Sequence, residues 1–251
     1  MPVADQPLEP VRLSAGGLED TLIRGKAVLV IGGDPIDLEL TTPDGPVAVE
    51  ELLPILHGLS NLFAERAAAA AQAEGRSVSC RAGCGACCRQ LVPVAGAEAR
   101  ALARLVEAMP LPRQSEVRRR FEAAIDTLTA GGIPDRFGEG DPDRHELGLD
   151  YFRLGVACPF LEDEACSIHA DRPLSCREYL VTNPPENCRN LGVADIDKLA
   201  LEGDPSLALL KADFRDGWLP LVFSLTYDEQ APPSPRDRTA SQILGDVLGR
   251  L

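Results

Sequence analysis

The 251 residues are 45% hydrophobic and carry 39 acidic against 25 basic side chains, for a formal charge of −14. That much apolar material can fill a buried core, and the length suits one large domain or a domain with an extension. A negative balance of this size repels phosphate backbones and anionic lipid surfaces, so neither nucleic acid nor a membrane is expected as a partner.

The N-terminal "MPVADQPLEPVRLSAGG" has neither a basic start leading into an apolar stretch nor a cleavage-like end, and no later run reaches the length of a membrane span. A soluble cytoplasmic protein is expected, in which thiols are more often metal ligands or catalytic groups than disulfides. The first thirty residues alternate only weakly. "PIDLELTT" (35–42), bounded by Asp34-Pro35 and Pro43-Asp44-Gly45, reads as a strand that pairs with "KAVLVIGG" as a hairpin. The glycines of "VLVIGGDP" suit a tight turn better than a nucleotide loop, since a spaced third glycine and a following helix are missing. From Pro46 the period changes: Leu52, Ile55, Leu56, Leu59, Leu62 and Phe63 predict a helix running into an alanine stretch and ending near Gly75, begun or kinked at Pro54.

Beyond residue 90, Glu98, Ala101, Leu102, Leu105, Val106 and Met109 predict an amphipathic helix stopped by Pro110 and Pro112. A second begins after Ser115 as N-cap, with Val117, Phe121, Ile125 and Leu128 on one face, and ends at Gly131-Gly132; the two read as a helical hairpin. Residues 131–150 are turn-rich and acidic and read as an exposed loop. The segment 150–190 shows little periodicity, so a metal could stand in for a missing hydrophobic core. Leu219, Val222 and Phe223 around Trp218 suggest core packing, and Ile243, Leu244, Val247, Leu248 and Leu251 form a last amphipathic helix. The expected fold is mainly α, with a small N-terminal β-hairpin and an irregular, metal-organised central segment (α+β). Its expected parts are an N-terminal strand pair and helix (1–77), a cysteine-cluster domain (78–190) and a C-terminal helical segment packing on it (191–251).

All eight cysteines fall in two groups: Cys80, Cys84, Cys87 and Cys88, then Cys158, Cys166, Cys176 and Cys188. Thiolate sulfur is a soft donor suited to zinc and iron-sulfur centres, and spacings of two to four residues let neighbouring sulfurs turn toward one ion. Gly83 and Gly85 let the backbone fold tightly there. Adjacent Cys87 and Cys88 point in different directions, so they serve two sites, or one ligates while the other packs. Arg81, Arg89, Arg172 and Arg177 lie within a few positions of a cysteine, where a cation lowers a thiol pKa; the alternative for each is a surface salt bridge. Closing the loop from Cys88 to Cys158 costs entropy that grows only logarithmically with length, against roughly 10–16 kcal/mol for a structural zinc. The metal dominates.

The run "CRAGCGACCR", followed by "CPFLEDEACSIHADRPLSCREY", resembles the CxxCxxCC cysteine-cluster family, often called YkgJ-like and described as zinc- or iron-chelating domains. The resemblance covers roughly residues 78–190: the cluster, Cys158-Pro159-Phe160-Leu161, Cys166, Arg172-Pro173, and Cys176-Arg177 with Tyr179 come in the family's order. His169 departs from it, because a tyrosine commonly follows the isoleucine. The resemblance implies zinc or an iron-sulfur cluster held by most of the eight cysteines. Through a distant relative, the flagellin lysine N-methylase, it also implies an alternative, an iron-sulfur-dependent protein lysine N-methyltransferase using S-adenosylmethionine. No motif independently supports methyl transfer.

Other readings compete. The spacing of Cys80, Cys84 and Cys87 matches the three-cysteine signature of radical S-adenosylmethionine enzymes, but Ala86 stands where those carry an aromatic, and the repeated strand-helix units of their barrel are missing. Even parity permits disulfides, against which stand the tight cluster and the missing signal. His169, three residues after Cys166, could ligate metal or serve a thiol nucleophile. His57 and His145 fall on a helix and in the acidic loop. The run Glu162-Asp163-Glu164 reads as a solvated turn, and Tyr179 and Trp218 read as packing residues. Clustered thiolates without an assigned histidine lean toward iron-sulfur over zinc.

Overall fold

The computed structural model describes residues 9–15, 22–138, 144–192, 195–212 and 217–251, leaving aside the side chains of residues 137, 138 and 144. The fold is α-dominated, with a few short strands in small sheets. Strand β1 (Val11–Ser14) runs parallel to β3 (Asp34–Pro43), which pairs antiparallel with β2 (Leu22–Ile31) in the register Leu22↔Pro43 to Ile31↔Asp34. The predicted hairpin is therefore present, turning at Gly32 and Gly33, both left-handed. The parallel addition of β1 was not foreseen. Along β3, Ile36, Leu38, Leu40 and Thr42 are buried on one face, the period-2 pattern of a sheet covered on one side.

What covers that face is helix α1 (Leu53–Ala73), entered from a 3-10 turn at Val49–Leu52. Pro54 sits in the first turn of α1, where its missing N–H costs no helical hydrogen bond. Ile55, Leu56, Leu59 and Phe63 are buried in this first core with Leu174, Leu209, Ile243 and Leu244. The short strand β4 (Pro46–Val47) pairs far along the chain with β9 (Arg238–Thr239), and β5 (Pro93–Ala95) pairs with β8 (Trp218–Pro220).

Helix α2 (Gly96–Glu107) ends before Pro110, as predicted. Helix α3 (Leu111–Ala130) begins five residues earlier than its expected start after Ser115, because Pro112 fits the first turn rather than ending anything. Val117 and Phe121 of α3 join Leu102 and Val106 of α2 in a second core, where Phe121 meets Phe160 edge-to-face with centroids 5.3 Å apart.

The expected exposed loop at 131–150 is corrected. It holds α4 (Asp135–Gly138) and the start of α5 (Arg144–Arg153), and Ile133, Leu147 and Tyr151 are buried against the end of α3 in a third core. Leu147 and Tyr151 lie one helical turn apart, a stripe too narrow to stand out among glycines and acids. Residues 139–143 of that stretch lie outside the described residues. The segment 150–190 likewise owns apolar anchors: Phe160, Ile168, Leu174 and Val181 are buried around the hairpin β6 (Leu161–Glu162) and β7 (Ala165–Cys166) and helix α6 (Leu174–Glu178). Helices α7 (Pro205–Ala212) and α8 (Ser224–Gln230) were not foreseen; α9 (Ala240–Leu248), capped by Thr239, is the predicted last helix. Among the described residues no helix is long and apolar enough to cross a membrane.

Candidate metal centre

The segment from Cys80 to Gln90 is a chain of tight turns: Cys84 N donates to Arg81 O (3.1 Å), Cys88 N to Gly85 O (3.1 Å) and Gln90 N to Cys87 O (3.0 Å). Such turns swing successive side chains around a point instead of along a line. Three distant segments fasten the loop. Ser79 N donates to Val181 O (2.9 Å), Cys158 N to Cys88 O (2.7 Å), and Gln90 Nε2 to Cys188 O (3.1 Å). Gly85 is pressed on the β6–β7 turn so closely that a Cβ there would stand 2.5 Å from Glu164 O and from Leu161 Cδ1. Gly85→Ala should therefore force the loop off the hairpin and cost about 1–3 kcal/mol, read as a lowered melting temperature, whereas Gly245→Ala, in a helix and with open space, should not lower it. An unchanged melt for Gly85→Ala would show that the two turns separate easily.

The fold then redistributes the cysteines. Cys188, at 3% exposure, packs with Cys80, Cys84 and Cys87 around Ala86, Val181 and Tyr179. Cys87, Cys88, Cys158, Cys166 and Cys176 line one cavity of about 730 Å³. Cys87 belongs to both gatherings. None of the eight is in a disulfide. Among the described residues no three or more His, Cys, Asp or Glu side chains are already drawn into an arrangement that holds a metal ion.

Electrostatics express the same crowding. The Cys87 thiol is pushed well up by the hydrogen bond it shares with Cys88 and by burial, Cys158 to about 12 and Cys188 to about 11 mainly by burial, and Cys176 well up by burial and by Cys158, Cys87 and Cys166 beside it. Cys80 and Cys166 are raised chiefly by burial as well. Without a cation the site holds these thiols protonated. A bound metal inverts that balance, because a coordinated thiol gives up its proton.

The four arginines part company. Arg172 lines the cavity, favours the thiolate forms of Cys80, Cys87 and Cys166, and has a buried Nε with no hydrogen-bond partner. Its Nη1 lies 2.9 Å from His169 Nε2, which occupies that histidine away from the sulfurs. Arg89 follows the salt-bridge reading, forming a two-pronged pair with Glu164 (2.6 and 3.1 Å) that Arg189 joins (2.8 Å). Glu162 pairs with Arg113 and Arg120, so the acidic run is a turn that docks arginines from other segments. Arg81 is exposed. Buried Arg177 donates to the carbonyls of Ala170 and Arg172 and to Asn61 Oδ1, holding the turn before α6.

One residue unmarked in the sequence positions the site. Glu98, 3% exposed, accepts from Ala95 N (2.9 Å) with one oxygen and from Leu174 N (2.8 Å) with the other, tying the start of α2 to the start of α6, which carries Cys176. Burial pushes its carboxyl up to about 7. Its place three residues after a helix entry was a legible signal. On α1, burial and the Arg177 charge depress the His57 pKa to about 4. Folded protein therefore binds fewer protons than unfolded chain between pH 6.5 and 4, so His57 costs nothing above 6.5 and destabilises progressively below it, by roughly 1–3 kcal/mol. His57→Gln should flatten the urea-measured stability loss in that window; a parallel pH profile for both proteins would refute it.

Against this geometry, residues 79–192 match the family model CxxCxxCC, described as "Putative zinc- or iron-chelating domain". This segment is similar to the CxxCxxCC domain. The match spans the whole cysteine loop, the β6–β7 hairpin, α6 and Cys188, and leaves α1 and α7 to α9 outside it. Neither the curated proteins nor the solved structures contain a match to the chain.

Proposed function

We propose that the CxxCxxCC domain chelates metal through all eight cysteines as two four-sulfur sets: Cys80, Cys84, Cys87 and Cys188, and Cys88, Cys158, Cys166 and Cys176. The observation carrying this reading is the meeting of both sequence groups at Cys87 and Cys88. The residues fit such a group: soft thiols gathered in one region, a glycine, Gly85, whose place admits no side chain, and a buried arginine nitrogen lacking an acceptor beside the sulfurs. Cysteine sulfurs reach a common ion by turning about one bond, Cα–Cβ. An all-sulfur donor set suits an iron-sulfur cluster and a four-cysteine zinc site alike, and iron-sulfur is the assignment put to the test.

When bound, such a cluster supplies one-electron transfer; zinc would supply structure alone. The chain's own part is to hold the sulfurs, offset their charge with Arg172, and brace the cradle through the Arg89–Glu164 pair. A cytoplasmic setting, where thiols stay reduced, belongs to the same proposal. No residue of the site singles out S-adenosylmethionine, so metal binding and not methyl transfer is the activity proposed. Anaerobic purification with metal and sulfide analysis and an absorption spectrum tests it. Iron, acid-labile sulfide and broad visible absorption are expected; a colourless zinc-loaded protein overturns the iron-sulfur assignment, and a metal-free one overturns chelation.

A further inference from the structure

The cavity that receives five of the cysteines is larger than a metal needs. An ion sits within one coordination bond of its sulfurs, about 2.3 Å for zinc, yet the cavity measures about 730 Å³, within the range of roughly 300–1,000 Å³ typical of small-molecule sites. Its wall away from the sulfurs is apolar and partly aromatic: Leu149 of α5, Leu207 and Leu210 of α7, and Trp218 of β8. These come from elements mostly outside the cysteine-domain match, so the rest of the chain completes this chamber.

The polar groups are unevenly satisfied. Two acids of the wall are engaged with protein: Glu178 accepts from Ser60 Oγ (2.7 Å) and Ser206 N (2.9 Å), and Asp204 accepts from Ser206 Oγ (2.8 Å) and Leu207 N (3.0 Å). Asp195 is exposed. Lys198 lies with its ammonium 5.5 Å from the Tyr179 ring centroid and near enough to Asp204 to help lower that carboxyl's pKa, though the two form no ion pair among the described residues, and the Arg172 Nε is buried without an acceptor. With Arg172 committed to the sulfurs, Lys198 is the wall's cation that faces its acids without an ion pair among the described residues, while Glu178 and Asp204 are both hydrogen-bonded to protein.

We propose that this cavity binds a small organic anion with a flat apolar body, seated against Trp218 and the leucines, its charge toward Lys198. This goes beyond metal chelation and does not require it. Trp218 is the chain's one tryptophan, so its fluorescence reports occupancy. The full-length, metal-loaded protein is titrated with the anionic probe 8-anilinonaphthalene-1-sulfonate and with its neutral relative N-phenyl-1-naphthylamine. Both should quench Trp218 saturably, the anion about fivefold more tightly, as expected for one partly exposed ionic contact. Lys198→Met should abolish that advantage and leave the neutral probe unchanged. Gly148 lines the cavity on α5, and a Cβ there meets nothing within 4 Å; Gly148→Phe should fill the space and weaken both probes at an unchanged melting temperature. Unsaturable quenching, or binding indifferent to Gly148→Phe, overturns the site; equal affinity for the two probes overturns its preference for anions. Metal content, measured in the same samples, reports separately on the chelation reading.

Discussion

Serine in place of both Cys176 and Cys188 should leave the protein without bound metal, while either single replacement should leave half. The two cysteines are twelve positions apart in sequence, but Cys188 packs with Cys80, Cys84 and Cys87, whereas Cys176 lies near Cys158, Cys87 and Cys166. Removing one thiolate of four opens that set and leaves the other closed. Because binding a structural metal can contribute roughly 10–16 kcal/mol of folding free energy, the double variant should also lose hydrogen-exchange protection across 79–192. The buried apolar anchors Phe160, Ile168 and Leu174 should keep that segment collapsed, so its helical signal persists. Metal analysis decides the matter: complete loss in either single variant would mean one shared centre, and full retention in both would mean these sulfurs do not ligate.

Glu98→Ala should be the most damaging substitution that removes no sulfur. It strands two backbone N–H groups, those of Ala95 and Leu174, in a buried place, and each unsatisfied donor costs about 1–3 kcal/mol. A drop of roughly 2–6 kcal/mol in chemical denaturation is expected, with weaker metal retention as α6 loosens around Cys176. Glu98→Gln keeps one carbonyl acceptor but turns an amide donor toward the other N–H, so it should fall between. A loss under about 1 kcal/mol for the alanine variant would show that water reaches these groups.

Much of this molecule is legible locally. The β2–β3 hairpin follows from alternation around Gly32-Gly33, α1 from its 3.6-residue stripe, and α9 from the same pattern before Leu251. α5 escaped because only Leu147 and Tyr151 anchor it, and α7 because eight residues give too few turns to establish a period. The role of Glu98 was half visible: its spacing from Ala95 is a helix-entry signal, but its second partner, Leu174, is 76 positions away.

The sequence by itself determined the chemistry. Four closely spaced thiols with four more downstream, two glycines and nearby arginines point to a metal-chelating domain, because ligand type and local reach are properties of neighbouring residues. Only the tertiary structure decided which sulfurs meet. Cys188 joins the first group and Cys87 belongs to both gatherings because apolar cores built from α1, α2, α3 and α6 close loops of about a hundred residues, and spacing along a chain says nothing of where so long a loop returns. The chamber beside the sulfurs arises the same way, its leucines and Trp218 brought there by helices and a strand that no cysteine pattern could announce.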